Sequence, residues 1–337
     1  MRDTKIRTAV VGAGKMGALH AKVYDQLPQS DFVAVVDTDR KRAEHLAGQY
    51  GVKAFTDCMD ILDKVDAVTI AVPTVAHRQL AEIFIANRIA VMIEKPLATN
   101  VKEGKKIVEL AKKNNTLVAV GHSERCNPVV QAMKRLNIEP KFIEASRISP
   151  YPFRSTDIGV VLDVMIHDID IILSLAASRV KKVEAVGVGV IADDKEDICN
   201  ARIVFENGCI ANITASRLAL KTERKVRVFS RQAYLSLDYL KKTGTVVKAA
   251  PNIDIAKKVK EIRQGGVLNL AMVNWSNLLH IENLEIDDKE PLRVEQEAFL
   301  RAVADKAHKP EVTAEEGLAA MECAEMILAS IKEHKWE

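Results

Sequence analysis

Residues 6–17 read IRTAVVGAGKMG, a β-branched apolar run that leads without a break into G-x-G-x-x-G at Gly12, Gly14 and Gly17. Each glycine has its own physical task. The first permits a tight turn out of the strand, the second lets the backbone approach a pyrophosphate, and the third lets the next helix pack on the strand. The amides that open this helix, on Lys15, Met16 and Gly17, then face the anion. The pattern alone is weak, but here it follows the first strand and opens a helix. The second strand ends in Asp37, twenty residues after Gly17, where an acid holds ribose hydroxyls. A carboxylate at that point repels a 2′-phosphate, and Thr38 rather than an arginine follows, so the expected cofactor is NAD over NADP. Arg40 argues the other way if it swings toward a phosphate, or is simply a solvated helix residue.

Outward from this loop, short apolar runs at 6–11, 33–36, 67–71, 91–93 and 117–120 alternate with helical patterns at 16–26, 40–49, 76–86 and 101–112. That rhythm implies βαβ units and a doubly wound parallel sheet over residues 1–121. Beyond Gly121 the rhythm changes. Strand-like segments at 142–147, 183–191, 200–205, 209–216, 225–229 and 233–238 follow one another, with a tight-turn signal at Glu206-Asn207-Gly208. Two helices close the chain at 291–305 and 314–333, and residues 249–264 are lysine-rich. The expected second domain, 122–337, is α/β with a large open, mostly antiparallel sheet. It would bind substrate and carry oligomerisation, since 183–191 is apolar on both faces and either a second copy or a helix of the same chain must cover it.

Composition excludes several classes. Apolar residues make up 48% of the 337, enough for a core in each of two domains, and net charge is only +3. A dedicated nucleic-acid binder would show a clustered basic excess. The most apolar stretch, 160–172, is broken by Asp163, His167, Asp168 and Asp170 and is too polar for a membrane span. The N-terminus runs directly into a strand with no room for a signal peptide. The five cysteines are widely spaced with no C-x-x-C pair, so no metal or redox site is expected, and a cytoplasmic location fits.

Three further segments invite a chemical reading. Val72-Pro73-Thr74-Val75-Ala76-His77 follows a parallel strand at the ligand edge of the sheet. Here Pro73, Thr74 and His77 either touch the ribose or nicotinamide, or Thr74 caps a helix with His77 on its first turn. Glu94-Lys95-Pro96 ends another strand, which places Lys95 at the nicotinamide end, where it either polarises a substrate oxygen or is an ordinary surface lysine. The third, GVVLDVMIHDIDIILS over 159–174, is apolar around most of a helix, with Asp163, His167, Asp170 and Ser174 in one narrow polar stripe. A solvent face usually carries long charged chains, and this one has none. An Asp–His pair one turn apart suits a general base, Asp163 orienting the His167 imidazole. A shared metal lacks an obvious third ligand.

These segments together make the chain resemble the glucose–fructose oxidoreductase/inositol dehydrogenase (Gfo/Idh/MocA) family over nearly its whole length. The resemblance rests on VGAGKMG, Asp37, PTVAH, Glu94-Lys95-Pro96 and GVVLDVMIHD. It implies a Rossmann domain followed by an open-sheet domain, NAD as cofactor, contacts to it from the glycine loop, Asp37, Pro73, Thr74, His77 and Glu94, and a reaction site of Lys95, Asp163 and His167. Gly121-His122-Ser123-Glu124-Arg125-Cys126-Asn127-Pro128 and the segment from Arg147 through Tyr151 and Arg154 to Asp157 resemble the branch that oxidises C3 of UDP-N-acetylglucosamine or its uronate, although Cys126 stands where a bulky aromatic is common.

That resemblance implies a nucleotide-sugar substrate, an aminotransferase acting downstream, and a homo-oligomer, dimer or tetramer. Arg125, Arg147 and Arg154 are then candidate partners for the diphosphate, with Lys221, Arg224 and Arg227 as others, and Tyr151 or Phe153 for a stacked base. For each arginine a surface or interface ion pair is the alternative. Two rivals to this function are a dehydrogenase of the same family acting on an inositol, free sugar or diol, and a non-catalytic NAD-sensing protein on the same fold. Intact Lys95, Asp163 and His167 count against the second. The roles of Lys95 and His167 as proton acceptor and oxygen holder are interchangeable at this level.

Overall fold

A computed structural model describes residues 5–151, 158–191, 195–249 and 279–333. Their contacts group into two compact units, residues 1–127 with 289–326, and residues 128–288 with 327–337. The first unit is therefore not one continuous stretch. A single cut after residue 121 assigns residues 289–326 to the second domain, whereas they pack on the first unit.

Among the described residues, six strands form the first unit's sheet: β1 (Ile6–Val11), β2 (Ser30–Val36), β3 (Lys53–Phe55), β4 (Ala67–Ile70), β5 (Ala90–Glu94) and β6 (Val118–Gly121). Their order is β3-β2-β1-β4-β5-β6 and every pairing is parallel. The strand order reverses between β1 and β4, the point where such sheets open a crevice at their C-terminal ends. The strands read as continuous apolar runs because both faces are covered. On one side Val10, Val35, Met92 and Ala119 pack with helix α1 (Lys15–Gln26), α2 (Arg40–Tyr50) and, from far along the chain, α7 (Pro291–Ala304) through Phe299 and Leu300. On the other, Val11, Val36, Ile70 and Ile93 pack with α3 (His77–Ala86), α4 (Val101–Asn114) and the start of α8 (Ala314–Glu333). Asp39 caps α2 by accepting the Lys41 and Arg42 amides, and Asn100 caps α4 on the Glu103 amide.

In the second unit, α5 (Pro128–Arg135) precedes an eight-stranded sheet. Its strands are β7 (Pro140–Ile148), β8 (Val180–Val188), β9 (Ile198–Phe205), β10 (Ile210–Ser216), β11 (Glu223–Ser230), β12 (Ala233–Asp238), β13 (Thr243–Ala249) and β14 (Leu279–Asn283). The order is β14-β13-β12-β11-β7-β10-β9-β8, antiparallel except for β7 beside β10. The expected turn forms at 206–208, where the Gly208 N–H donates to the Phe205 carbonyl at 3.0 Å. The segment expected as one helix from 159 to 174 is instead a π-helical turn, Val161–Met165, that runs into α6 (Ile166–Ala176). Helix α6 packs on β7 and β10 with Ile166, Ile169 and Ile172 buried. The lysine-rich stretch from 250 onward, and Phe153, Arg154 and Asp157, lie outside the described residues. No described helix is long and apolar enough to cross a membrane.

Candidate active site

The glycine loop separates its three tasks in space. Gly12 has φ +104°, and a Cβ there would lie 2.4 Å from the Ala71 carbonyl oxygen. A Cβ on Gly17 would lie 1.7 Å from the Gly12 oxygen, so only glycine lets α1 come so close to the turn. Gly14 has nothing within 4 Å of its missing Cβ. It is the N-cap of α1, and no side chain caps the helix there, so the opening amides of an exposed helix start point into free space. That is a cradle for an anion of the pyrophosphate type.

Asp37 stands beside it, half-buried at the end of β2. Its Oδ2 accepts the Ala13 N–H at 2.7 Å and its Oδ1 the Asp39 N–H at 2.9 Å. An ionised carboxylate has about four acceptor sites, so the side chain that braces the loop can also take ribose hydroxyls. Arg40 is exposed and lies 3.6 Å from Glu44. The residues present fit NAD.

The segment after β4 is a 3₁₀ turn, Thr74–Ala76, that enters α3. Pro73 is exposed and Thr74 half-buried at the strand's C-terminal end, and the Thr74 side chain caps nothing. His77 takes the second of the two readings, on the first turn of α3. It is 1% exposed, with Nδ1 3.0 Å from the Pro96 carbonyl and Nε2 2.9 Å from the Val72 carbonyl. The ring clamps the turn after β5 to the turn after β4. Burial pushes its pKa below the usual histidine value, outweighing the two carbonyls that pull it up. The Glu94 carboxylate turns inward to His20 at 2.8 Å, and Oε2 accepts the Lys95 N–H at 3.2 Å. Lys95 itself is half-buried at the C-terminal end of β5.

Arg125, read either as a diphosphate partner or as an ion-pair residue, is 2% exposed and pairs with Glu316 on α8 at 3.2 Å. It fastens the turn at 123–126 to the helix start. In the second unit Arg147 likewise forms an ion pair, the alternative reading for each arginine. Its guanidinium meets Asp168 through two bonds of 2.9 Å, both residues buried. It holds α6 to β7 one residue from His167. Asp163 lies in the π-helical turn and His167 one turn on, both half-buried, whereas Asp170 of the same stripe is buried. π-Helical turns are rare and recur at functional sites.

Sequence reasoning missed the parts that fix this helix. Glu196 accepts the Val160 amide on its carbonyl at 2.9 Å and the Val161 amide on Oε1 at 3.0 Å. Arg217, fully buried, donates to Asp197 at 2.7 Å and to the Ile158 carbonyl at 2.8 Å, and its guanidinium lies 5.5 Å from the Tyr151 ring centre. Lys221 is exposed, and Arg227 pairs with Glu144 at 3.3 Å. His20 and Gln296 were missed as well. The signal for both was a polar residue on the apolar stripe of a helix, which demands a buried partner.

Comparison with known proteins agrees with this fold. A family model described as an oxidoreductase family with an NAD-binding Rossmann fold matches residues 6–122, and the GFO/IDH/MocA C-terminal domain matches residues 143–236. UDP-N-acetylglucosamine 3-dehydrogenase of Acidithiobacillus ferrooxidans is 31% identical over 307 residues, 90% of each chain. A solved structure of UDP-N-acetylglucosamine 3-dehydrogenase from that organism superposes with a TM-score of 0.86 at 28% identity, over 98% of both chains. Myo-inositol 2-dehydrogenase of Thermotoga maritima is 25% identical over 72% of this chain and 78% of its own. The chain belongs to the Gfo/Idh/MocA oxidoreductase family. It is an NAD(P)-dependent oxidoreductase acting on alcohol groups, and its first unit is an NAD-binding Rossmann domain.

Proposed function

We propose that this enzyme oxidises a ring hydroxyl of a nucleotide sugar, C3 of UDP-N-acetylglucosamine or a related UDP-sugar, to the 3-keto form. The observation that carries the reading is likeness to UDP-N-acetylglucosamine 3-dehydrogenase over 90% of both chains. The inositol dehydrogenase likeness spans 72% of this chain. Bound NAD, held by the glycine loop and Asp37, would supply the hydride acceptor for the carbinol carbon. In this reading His167 takes the hydroxyl proton as the C–H bond breaks, and Asp163 orients the imidazole and supports its charge. Lys95 holds the same oxygen and stabilises the negative charge that grows on it. A histidine suits this task because its ordinary pKa lies near neutrality.

The test is NADH formation at stoichiometric enzyme, with an oxidant for bound NADH supplied in parallel, using UDP-N-acetylglucosamine, N-acetylglucosamine and myo-inositol. UDP-N-acetylglucosamine is expected to give signal, and Lys95→Ala and His167→Ala to abolish it while NAD still binds. Signal from myo-inositol alone would overturn the substrate, and wild-type turnover in either variant would remove that residue from the mechanism.

A further inference from the structure

Three groups far apart in the chain meet at one buried point of the first unit. His20 on α1 is fully buried and its Nε2 lies 2.8 Å from Glu94 Oε1. Gln296 on α7, also fully buried, sets its Nε2 at 2.9 Å from His20 Nδ1 and 3.3 Å from the His20 carbonyl. With two acceptors in reach, the amide nitrogen is the atom that belongs there, since an amide oxygen would face the carbonyl oxygen. Gln296 thus donates to Nδ1 and leaves the Nε2 proton for Glu94. The other carboxylate oxygen accepts the Lys95 backbone N–H at 3.2 Å.

The pocket for this carboxylate is built for it. Gly121, the register partner of Glu94 on β6, would with a Cβ come within 3.3 Å of Glu94 Oε1 and 3.2 Å of its Cδ. Burial raises the Glu94 pKa, but the His20 hydrogen bond, with the Lys95 charge and backbone N–H, brings it below the ordinary carboxylate value. A buried anion is costly unless fully partnered, and every partner here leads toward Lys95 or toward α1. His20 lies three residues past Gly17, about 4.5 Å along the axis of the helix whose start forms the pyrophosphate cradle.

We propose that His20 and Glu94, braced by Gln296, are positioning residues: a buried strut that fixes Lys95 at a set distance from the dinucleotide cradle. The proposal rests on the role given to Lys95 above. Neither side chain needs to touch substrate. Hydride transfer is sensitive to such placement, since a misplacement of about 1 Å can cost about 100-fold in rate.

Two measurements test it. In the first, surface and site lysines are reductively methylated with ¹³C-formaldehyde, and the Lys95 methyl resonance is assigned by its loss in Lys95→Arg. His20→Ala and Glu94→Ala are expected to shift or broaden that resonance, while His20→Gln, which keeps a donor, restores it toward wild type and Glu94→Gln, which keeps one of the two acceptor oxygens, restores it only in part. An unmoved Lys95 resonance in folded His20→Ala overturns the strut. Should His20→Ala fail to fold, His20→Gln and Gln296→Leu carry the same comparison.

The second is turnover of UDP-N-acetylglucosamine. His20→Ala is expected to lower kcat about 10- to 100-fold with KM and the NAD Kd within about 3-fold. Unchanged kcat in His20→Ala beside a dead Lys95→Met sinks the strut and spares the reaction site. Wild-type turnover in Lys95→Met sinks the reaction site, and the resonance result then still decides whether the strut exists.

Discussion

Gly14→Ala separates binding from folding. Gly14 has φ −79° and ψ −168°, an ordinary conformation for alanine, and no atom lies within 4 Å of the added Cβ. The loss of a tolerable N-cap and the gain from a stiffer unfolded chain each amount to less than about 1 kcal/mol and oppose one another. The apo protein should therefore unfold within about 1 kcal/mol of wild type. The new methyl group would fill open space beside the α1 amides, where a pyrophosphate would be held. Losing one hydrogen bond to a charged group costs about 1.5–3 kcal/mol, or about 10- to 150-fold in Kd.

Calorimetric titration with NAD, paired with thermal unfolding with and without NAD, reads both quantities. At NAD near 100 times the wild-type Kd, ligand stabilisation is about 2.7 kcal/mol. A 50-fold weaker site retains about 0.6 kcal/mol by the same relation. Gly17→Ala is the contrast, because its Cβ would sit 1.7 Å from the Gly12 oxygen and must lower apo stability itself. Gly14→Ala binding NAD within twofold of wild type would refute the cradle, and an apo protein that no longer folds would refute the open space.

Other expectations follow from buried charges. Arg147→Met should destabilise the second unit by about 3–5 kcal/mol, since it strands the Asp168 carboxylate, and Asp168→Leu added to it should recover part of the loss. Wild-type stability in Arg147→Met, with only UDP-sugar affinity lost, would return Arg147 to the ligand. His77, with its pKa held below the usual 6.5, binds its proton more readily in the unfolded chain. Its contribution to stability is complete above about pH 6.5 and lost as pH falls through the lower folded value. Urea midpoints between about pH 7.5 and about pH 5.5 should fall less in His77→Gln than in wild type, and equal slopes would show that the ring is not the titrating group.

The first unit was legible because its strands are apolar on both faces and its helices carry clear stripes. Lys53–Phe55 escaped because three residues at a sheet edge carry no period. β13 (TGTVVKA) and β14 (LHIEN) escaped because each holds only two large apolar residues, too few to set a period, and the β7–β10 parallel pairing escaped because no local pattern encodes which distant strand lies alongside. The π-helical turn is invisible to a stripe, since Asp163 and His167 share a face at either pitch. The arginines kept two readings for a simpler reason: charge is visible in sequence, but whether another part of the chain already neutralises it is not. A hint existed for Arg147. It follows Ile143 and Ala145 at period two on β7, and all three are buried, which marks an inward-facing position.

The nucleotide-binding unit borrows Phe299 and Leu300 for one face of its sheet and Ala314 and Met321 for the other. Synthesis runs from the N-terminus, so the glycine loop and all six parallel strands leave the ribosome well before the helices that cover them. A nascent chain that has passed Gly121 still exposes apolar surface on both sides of the sheet, and cannot close it until residues beyond 320 emerge. The unit that comes first in this sequence is in this sense the last to be finished.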